Sequence, residues 1–294
     1  MLAEGSLDQR RLMTLGFAAS GDGAALDTSS TASVSLTVAR RYRLGPMRFM
    51  PSFGAAYDGF DLDAQQPVTV WLLPKIRPSL AKLFFDQQAS AAQVLPNLTP
   101  KIRDHGIDVA TANAYVVFAP LRGRRLADAL LDCDVPRDYA VRTFVQLVES
   151  LDQASAAGVV HGRLNPRNIL VSPEAAQIIG FGLSYIQRIG SLPATLLPYL
   201  APEQLDGHTN TSGSDLYAVA LILYSCLVGE SSFASVVPDP TDVPAYVYRM
   251  VEESRSLDAR TRKTILALLT SDAPRRFAAG RRIVEEWQNG ANAN

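Results

Sequence analysis

The run Leu216 to Val228, LYAVALILYSCLV, constrains this chain more than any other stretch. It is apolar on every side, so a helix built on it has no face that favours water and must be wrapped by other elements. It is also too short to cross a bilayer, which takes about 20 residues. The chain therefore needs a helical body large enough to bury one helix whole, and 294 residues can build such a core. That length suits one two-lobed domain or two modest ones.

The remaining bulk properties exclude more than they assign. The net charge is −1, with acidic and basic residues scattered, so nothing electrostatic points to nucleic acid or an anionic membrane. Cys133 and Cys226 lie far apart and form no C-x-x-C pair, which reads as free thiols in a reducing compartment. Arg10 and Arg11 precede LMTLGFAAS, but Glu4, Asp8, Thr14 and Gly16 spoil a secretory signal there. The expectation is a cytoplasmic protein without a transmembrane segment.

Along the chain, residues 1–40 read as a flexible extension ending in a Ser/Thr-rich tract, Thr28 to Thr37. Residues 41–121 favour strands: SFGAAYDGFDL, QQPVTVWLLP and AYVVFAPL each hold a short apolar or alternating run. Between the last two, SLAKLFFDQQASAAQVL places Leu80, Leu83, Phe84, Ala91 and Val94 mainly on one helical face. Residues 122–290 turn helical, with a long amphipathic pattern from Ala140 to Ala157 stopped at Gly158. Short strands follow at Ile169 to Val171 and Gln177 to Phe181, then helices near 216–228, 243–253, 259–270 and 278–287. The fold class is α+β: a small β-rich lobe with one helix, and a larger, mostly helical lobe.

Five segments of the second lobe carry a resemblance. VVHGRLNPRNILV, IIGFGLS, YLAPEQL, GSDLYAVALILYSCLVG and SDAPRRF occur in the order of the catalytic loop, metal-binding turn, A-P-E segment, central helix and late arginine turn of eukaryotic-type protein kinase domains. The chain resembles that family from about Tyr42 to Trp287, and its short loops resemble the bacterial Ser/Thr branch. The resemblance implies that Asp215 holds the catalytic-loop backbone, that His161 and Phe181 join an apolar stack, and that Glu203 pairs with Arg276. These are structural roles.

The residues that should carry the chemistry are different. Phosphoryl transfer rests on positioning and on electrostatic stabilisation of the phosphates. At the place of the proton-accepting aspartate stands Arg163, whose guanidinium is always protonated and has no acceptor. Gly180 replaces the Mg²⁺-binding aspartate and Trp71 the phosphate-pairing lysine. Lys75 lies too far along the strand to substitute. Asp86, at the place of the helix glutamate, has no evident cation to hold and reads as a solvated helix carboxylate. Gly54 keeps one glycine of the phosphate loop, while Phe49 and Pro51 add bulk and Pro51 lacks an N–H. Of the metal-binding set only Asn168 is kept, and closing a local turn explains it equally well.

The expectation from these losses is a degenerate family member: a pseudokinase, not an enzyme, with no cofactor. Its role would be that of a scaffold or allosteric regulator for a protein partner, such as an active kinase or a phosphopeptide-binding domain. The alternative is an atypical ATP-dependent Ser/Thr kinase. A residual nucleotide site of Asn168, Arg163 and Gly54, taking ATP without Mg²⁺, stays open beside these, with Arg163 either contacting phosphate, or pairing with a nearby acidic group or filling the site with its own charge. His105 and His208, in expected loops, have no partners at metal-ligand spacing.

Overall fold

The computed structural model describes residues 36–132, 135–173, 175–208, 210–229 and 242–291, with side chains as far as 286. Residues 1–35, which hold most of the Ser/Thr tract, lie outside the described residues, as does Cys133. The chain divides into two compact units, Met1–Arg77 with Ile102–Leu121, and Pro78–Lys101 with Arg122–Asn294.

The first unit is a six-stranded antiparallel sheet. Its strands are β1 (Thr37–Val38), β2 (Tyr42–Phe49), β3 (Ala55–Asp61), β4 (Gln66–Lys75), β5 (Ile102–Ile107) and β6 (Asn113–Phe118), in the order β1-β2-β3-β4-β6-β5. β4 and β6 sit inside the sheet, and their Val68, Val70, Leu72 and Val117 form its core with Tyr42, Tyr57 and Tyr115. The hairpin from β3 to β4 is pinned at its turn by Asp61, which accepts from the N–H groups of Asp63 and Ala64 and from both arms of Arg41 at 2.8 Å. The Arg41 contact holds the Asp61 carboxyl down at about 2. Along β2 the pairing slips between Leu44 and Met47, where Pro46 has no N–H to offer the ladder.

The second unit is helical. It contains α1 (Pro78–Val94), α2 (Leu126–Leu131), α3 (Arg137–Ala156), α4 (Leu183–Ile186), α5 (Pro202–Leu205), α6 (Ser212–Val228), α7 (Val243–Glu253), α8 (Ala259–Leu268) and α9 (Ala273–Ala291). A small sheet of β7 (Arg124–Arg125), β8 (Ile169–Val171) and β9 (Ala176–Ile178) completes it. α6 is the apolar helix of the opening argument. Every residue from Ser212 to Ser225 is buried, and α3, α8 and α9 pack around it. It starts earlier than the apolar run because Thr211 caps it, accepting from the N–H of Ser214 at 3.3 Å.

α1, read from the sequence as part of the small lobe, groups with this helical unit. Its buried face is Ala81, Phe84, Phe85, Gln88 and Ala91, and Ala91 enters the large core. Leu83, assigned to that face from its spacing, is instead 44% exposed.

Candidate functional site

The catalytic-loop-like segment is hung from α6. In the first turn of that helix, Asp215 accepts the N–H of His161 and of Gly162, each at 2.8 Å. Burial pushes its carboxyl up to about 7, against the pull of those two N–H groups and of the Arg163 charge. The His161 ring is wholly buried, reaches the Ile179 carbonyl at 3.1 Å and lies 5.0 Å from the Phe181 ring. Burial lowers its pKa to about 4, so it is a neutral, structural imidazole. Gln88 of α1 donates to the Phe181 carbonyl at 2.7 Å. Sequence reasoning missed Gln88; a glutamine on the buried stripe with Phe84 and Ala91 was the available signal. It looked instead to Asp86, read as a solvated helix carboxylate with no evident cation; Asp86 does face solvent, and the exposed Lys82, one turn earlier, lies 2.6 Å away.

Arg163 follows in the loop and is only 6% exposed. Its guanidinium donates to the Gly162 carbonyl at 2.7 Å, to Asn210 Oδ1 at 3.0 Å and, more weakly, to the Gln187 carbonyl at 3.4 Å. All three hydrogen-bond partners are neutral oxygens, while the nearby acidic group, Asp215, acts on Arg163 through its charge and not through any of these bonds. Burial brings its pKa down to about 10, which leaves it cationic near neutral pH and still unable to accept a proton. Asn168 is fully buried. Its side-chain amide donates to the Arg163 carbonyl at 3.0 Å and its own carbonyl receives the N–H of Ile179 at 2.9 Å. Gly180 brings no side chain to this place.

The other sequence-selected residues belong to the sheet unit. Trp71, in the middle of β4, is fully buried, and its indole N–H donates to the Phe53 carbonyl at 2.8 Å. This fastens the loop between β2 and β3 down onto β4. Gly54 in that loop has φ +83, and a Cβ there would sit 2.1 Å from the Leu72 carbonyl oxygen, so only glycine fits. Phe49 and Pro51 are buried beside it. Lys75 is exposed at the end of the strand. His105 lies exposed on β5, not in a loop. Among the described residues, no group of three or more His, Cys, Asp or Glu is placed to hold a metal ion.

Glu203 and Arg276 meet in a bidentate pair, both bonds 2.7 Å long. Arg276 is wholly buried and donates further to the carbonyls of Gly213 and Thr270, while Ser214 Oγ also holds Glu203. The Arg276 and Ser214 bonds keep the Glu203 carboxyl below its ordinary value despite burial.

These features define a two-part architecture, a β-sheet unit and a helical unit built around a loop hung from a buried aspartate. The protein kinase domain family matches residues 101–287, and the chain belongs to that family. Its relatives include Ser/Thr protein kinases of actinobacteria. PknE of Mycobacterium tuberculosis is 35% identical over 206 residues, 65% of this chain and 35% of PknE. PknA of the same species is 25% identical over 248 residues, 74% of this chain and 57% of PknA. Drp72 of Corynebacterium efficiens is 27% identical over 183 residues, 58% of this chain and 34% of drp72. The chain thus spans a third to somewhat over half of these relatives. The crystal structure of the M. tuberculosis PknI kinase domain superposes with TM-score 0.61, covering 89% of this chain and 98% of that chain at 19% identity. The fold is that of a protein kinase, with a β-sheet lobe and a helical lobe.

These comparisons overturn one expectation. The chain was read as not an enzyme, yet the family to which it belongs and the relatives named as Ser/Thr protein kinases place it among enzymes. The expectation of no cofactor conflicts with the same membership, since kinases take phosphate from ATP with Mg²⁺. The residues present do not fit Mg²⁺ in the family's manner: Gly180 offers no carboxylate, and the Asn168 amide is bonded to the backbone of its own loop. Phosphoryl transfer by this chain cannot use Arg163 as base, Gly180 as metal ligand or Trp71 as phosphate-pairing cation.

Proposed function

We propose that this domain is an atypical ATP-dependent Ser/Thr protein kinase, acting on protein substrates in phosphorylation signalling in the cytoplasm. The observation that carries the reading is its match to the protein kinase domain over residues 101–287, supported by relatives named as Ser/Thr kinases. The retained frame of Asp215, His161, Glu203 and Arg276 supports it too, because it holds the loop where substrate would be engaged. Asn168 is the remaining polar member of the nucleotide-side set. A protein partner such as an active kinase or a phosphopeptide-binding domain is compatible with this reading.

The test is transfer of radiolabel from ATP to a Ser/Thr protein substrate by the purified chain, with Mg²⁺, with Mn²⁺ and without metal. Slow transfer that disappears in Asn168→Ala is the expected result. A thermal-shift titration accompanies it, since saturable ATP binding at a hundredfold excess over Kd stabilises a fold by about 2.7 kcal/mol. Absence of both transfer and shift at millimolar ATP would remove the reading.

A further inference from the structure

The bonds around Arg163 form a closed figure. Arg163 Nη1 donates to the Gly162 carbonyl and to Asn210 Oδ1, and Gln204 Nε2 donates to the same two oxygens at 2.8 and 2.5 Å. Two donors thus share two acceptors, and the four groups come from three separate stretches: the catalytic-like loop, helix α5 and the turn before α6. Gln204 is itself fixed, because its Oε1 accepts the N–H of Ala201 at 3.0 Å. The second arm of Arg163 leaves this ring for the Gln187 carbonyl, just beyond α4.

A second contact joins the same two segments independently. Gly162 has φ +71, and a Cβ built there would lie 2.6 Å from Ser184 Oγ and 2.8 Å from Ser184 Cβ. The first turn of α4 is therefore seated directly on the loop glycine, in space that any larger residue would claim. One face of the short helix is held by this close fit, and its end is held by the guanidinium.

From these two contacts we infer that Gly162 and Arg163 together act as a clamp, which keeps the segment Leu183–Gln187 in one conformation against the loop. The side chain standing where a kinase keeps its base has become a positioning residue for the segment that follows the metal-binding turn. A helix of one turn has little stability of its own, so its persistence rests on such outside contacts. Replacing Arg163 leaves Gln204 bonded to both shared acceptors, so the surrounding ring survives while the tie to Gln187 is lost.

Hydrogen exchange on the full chain tests the clamp. The amides of Tyr185 and Gln187, bonded to the carbonyls of Gly182 and Leu183, report on α4. Arg163→Ala is expected to speed their exchange by roughly three- to tenfold, the factor of one modest hydrogen bond, the tie to the Gln187 carbonyl being 3.4 Å long. Gly162→Ala is expected to do the same by displacing Ser184. Amides of Leu216 to Tyr224 in α6 should keep their wild-type rates. Unchanged exchange at Tyr185 and Gln187 in both variants would overturn the clamp, and so would an equal acceleration in α6, which would mark a general loss of stability.

Discussion

Two arginines are buried in the helical unit, and they are held in opposite ways. Arg276 is 0% exposed and faces a carboxylate through two parallel bonds, with carbonyls closing around its remaining nitrogens. Arg163 is 6% exposed and is bonded to carbonyl and amide oxygens, with its Nε unpaired and the Asp215 charge nearby but not bonded to it. A buried charge is stable when it is matched and fully bonded. The first arginine meets that condition as part of the frame. The second meets it only in part.

The contrast sets an order of expected effects. Glu203→Ala should leave Arg276 buried without its anion and lower unfolding stability by about 3–5 kcal/mol; a loss under about 1 kcal/mol in a urea titration would break the comparison. Acid should act on the same pair. The Glu203 carboxyl titrates below its ordinary value in the fold, so its contribution is complete above about pH 4.5 and is lost as pH falls through the folded pKa. Wild type should therefore lose stability more steeply with acid than Glu203→Gln does, whereas the oxygens bonded to Arg163 do not titrate. Arg163→Met should change unfolding stability by no more than about 1 kcal/mol, because Gln204 keeps both shared acceptors occupied and the buried charge is relieved. Lys82→Ala should be smallest, at most about 0.5 kcal/mol, since the Lys82–Asp86 pair is 76% and 57% exposed.

Sequence reasoning reached the two lobes because their signals are local. Continuous apolar runs gave β4, β6 and α6, and helical spacing gave α3 and α7. It missed β2 and β5, which are interrupted by Gly45 and Pro46 or mostly polar along an edge, so pairing rather than pattern makes them strands. At the site, the identities at positions 71, 163 and 180 could be read from motif order. What surrounds them could not, because Gln88, Gln204 and Asn210 contribute single polar side chains from distant stretches. Their value appears only when the fold brings them to Phe181 and Gly162. Reading the chain as a non-enzyme from missing groups conflicts with its family for a related reason: absent side chains exclude particular routes, whereas family membership rests on residues 101–287 as a whole.

Trp71 adds an asymmetry to any attempt at re-engineering. Its indole is bonded to the Phe53 carbonyl beneath a loop in which Gly54 admits no side chain. A lone Trp71→Lys change would release that fastening and leave the Phe53 carbonyl without the indole donor. Placing an ammonium there would thus begin from a less stable fold, so the loop and the strand would have to change together.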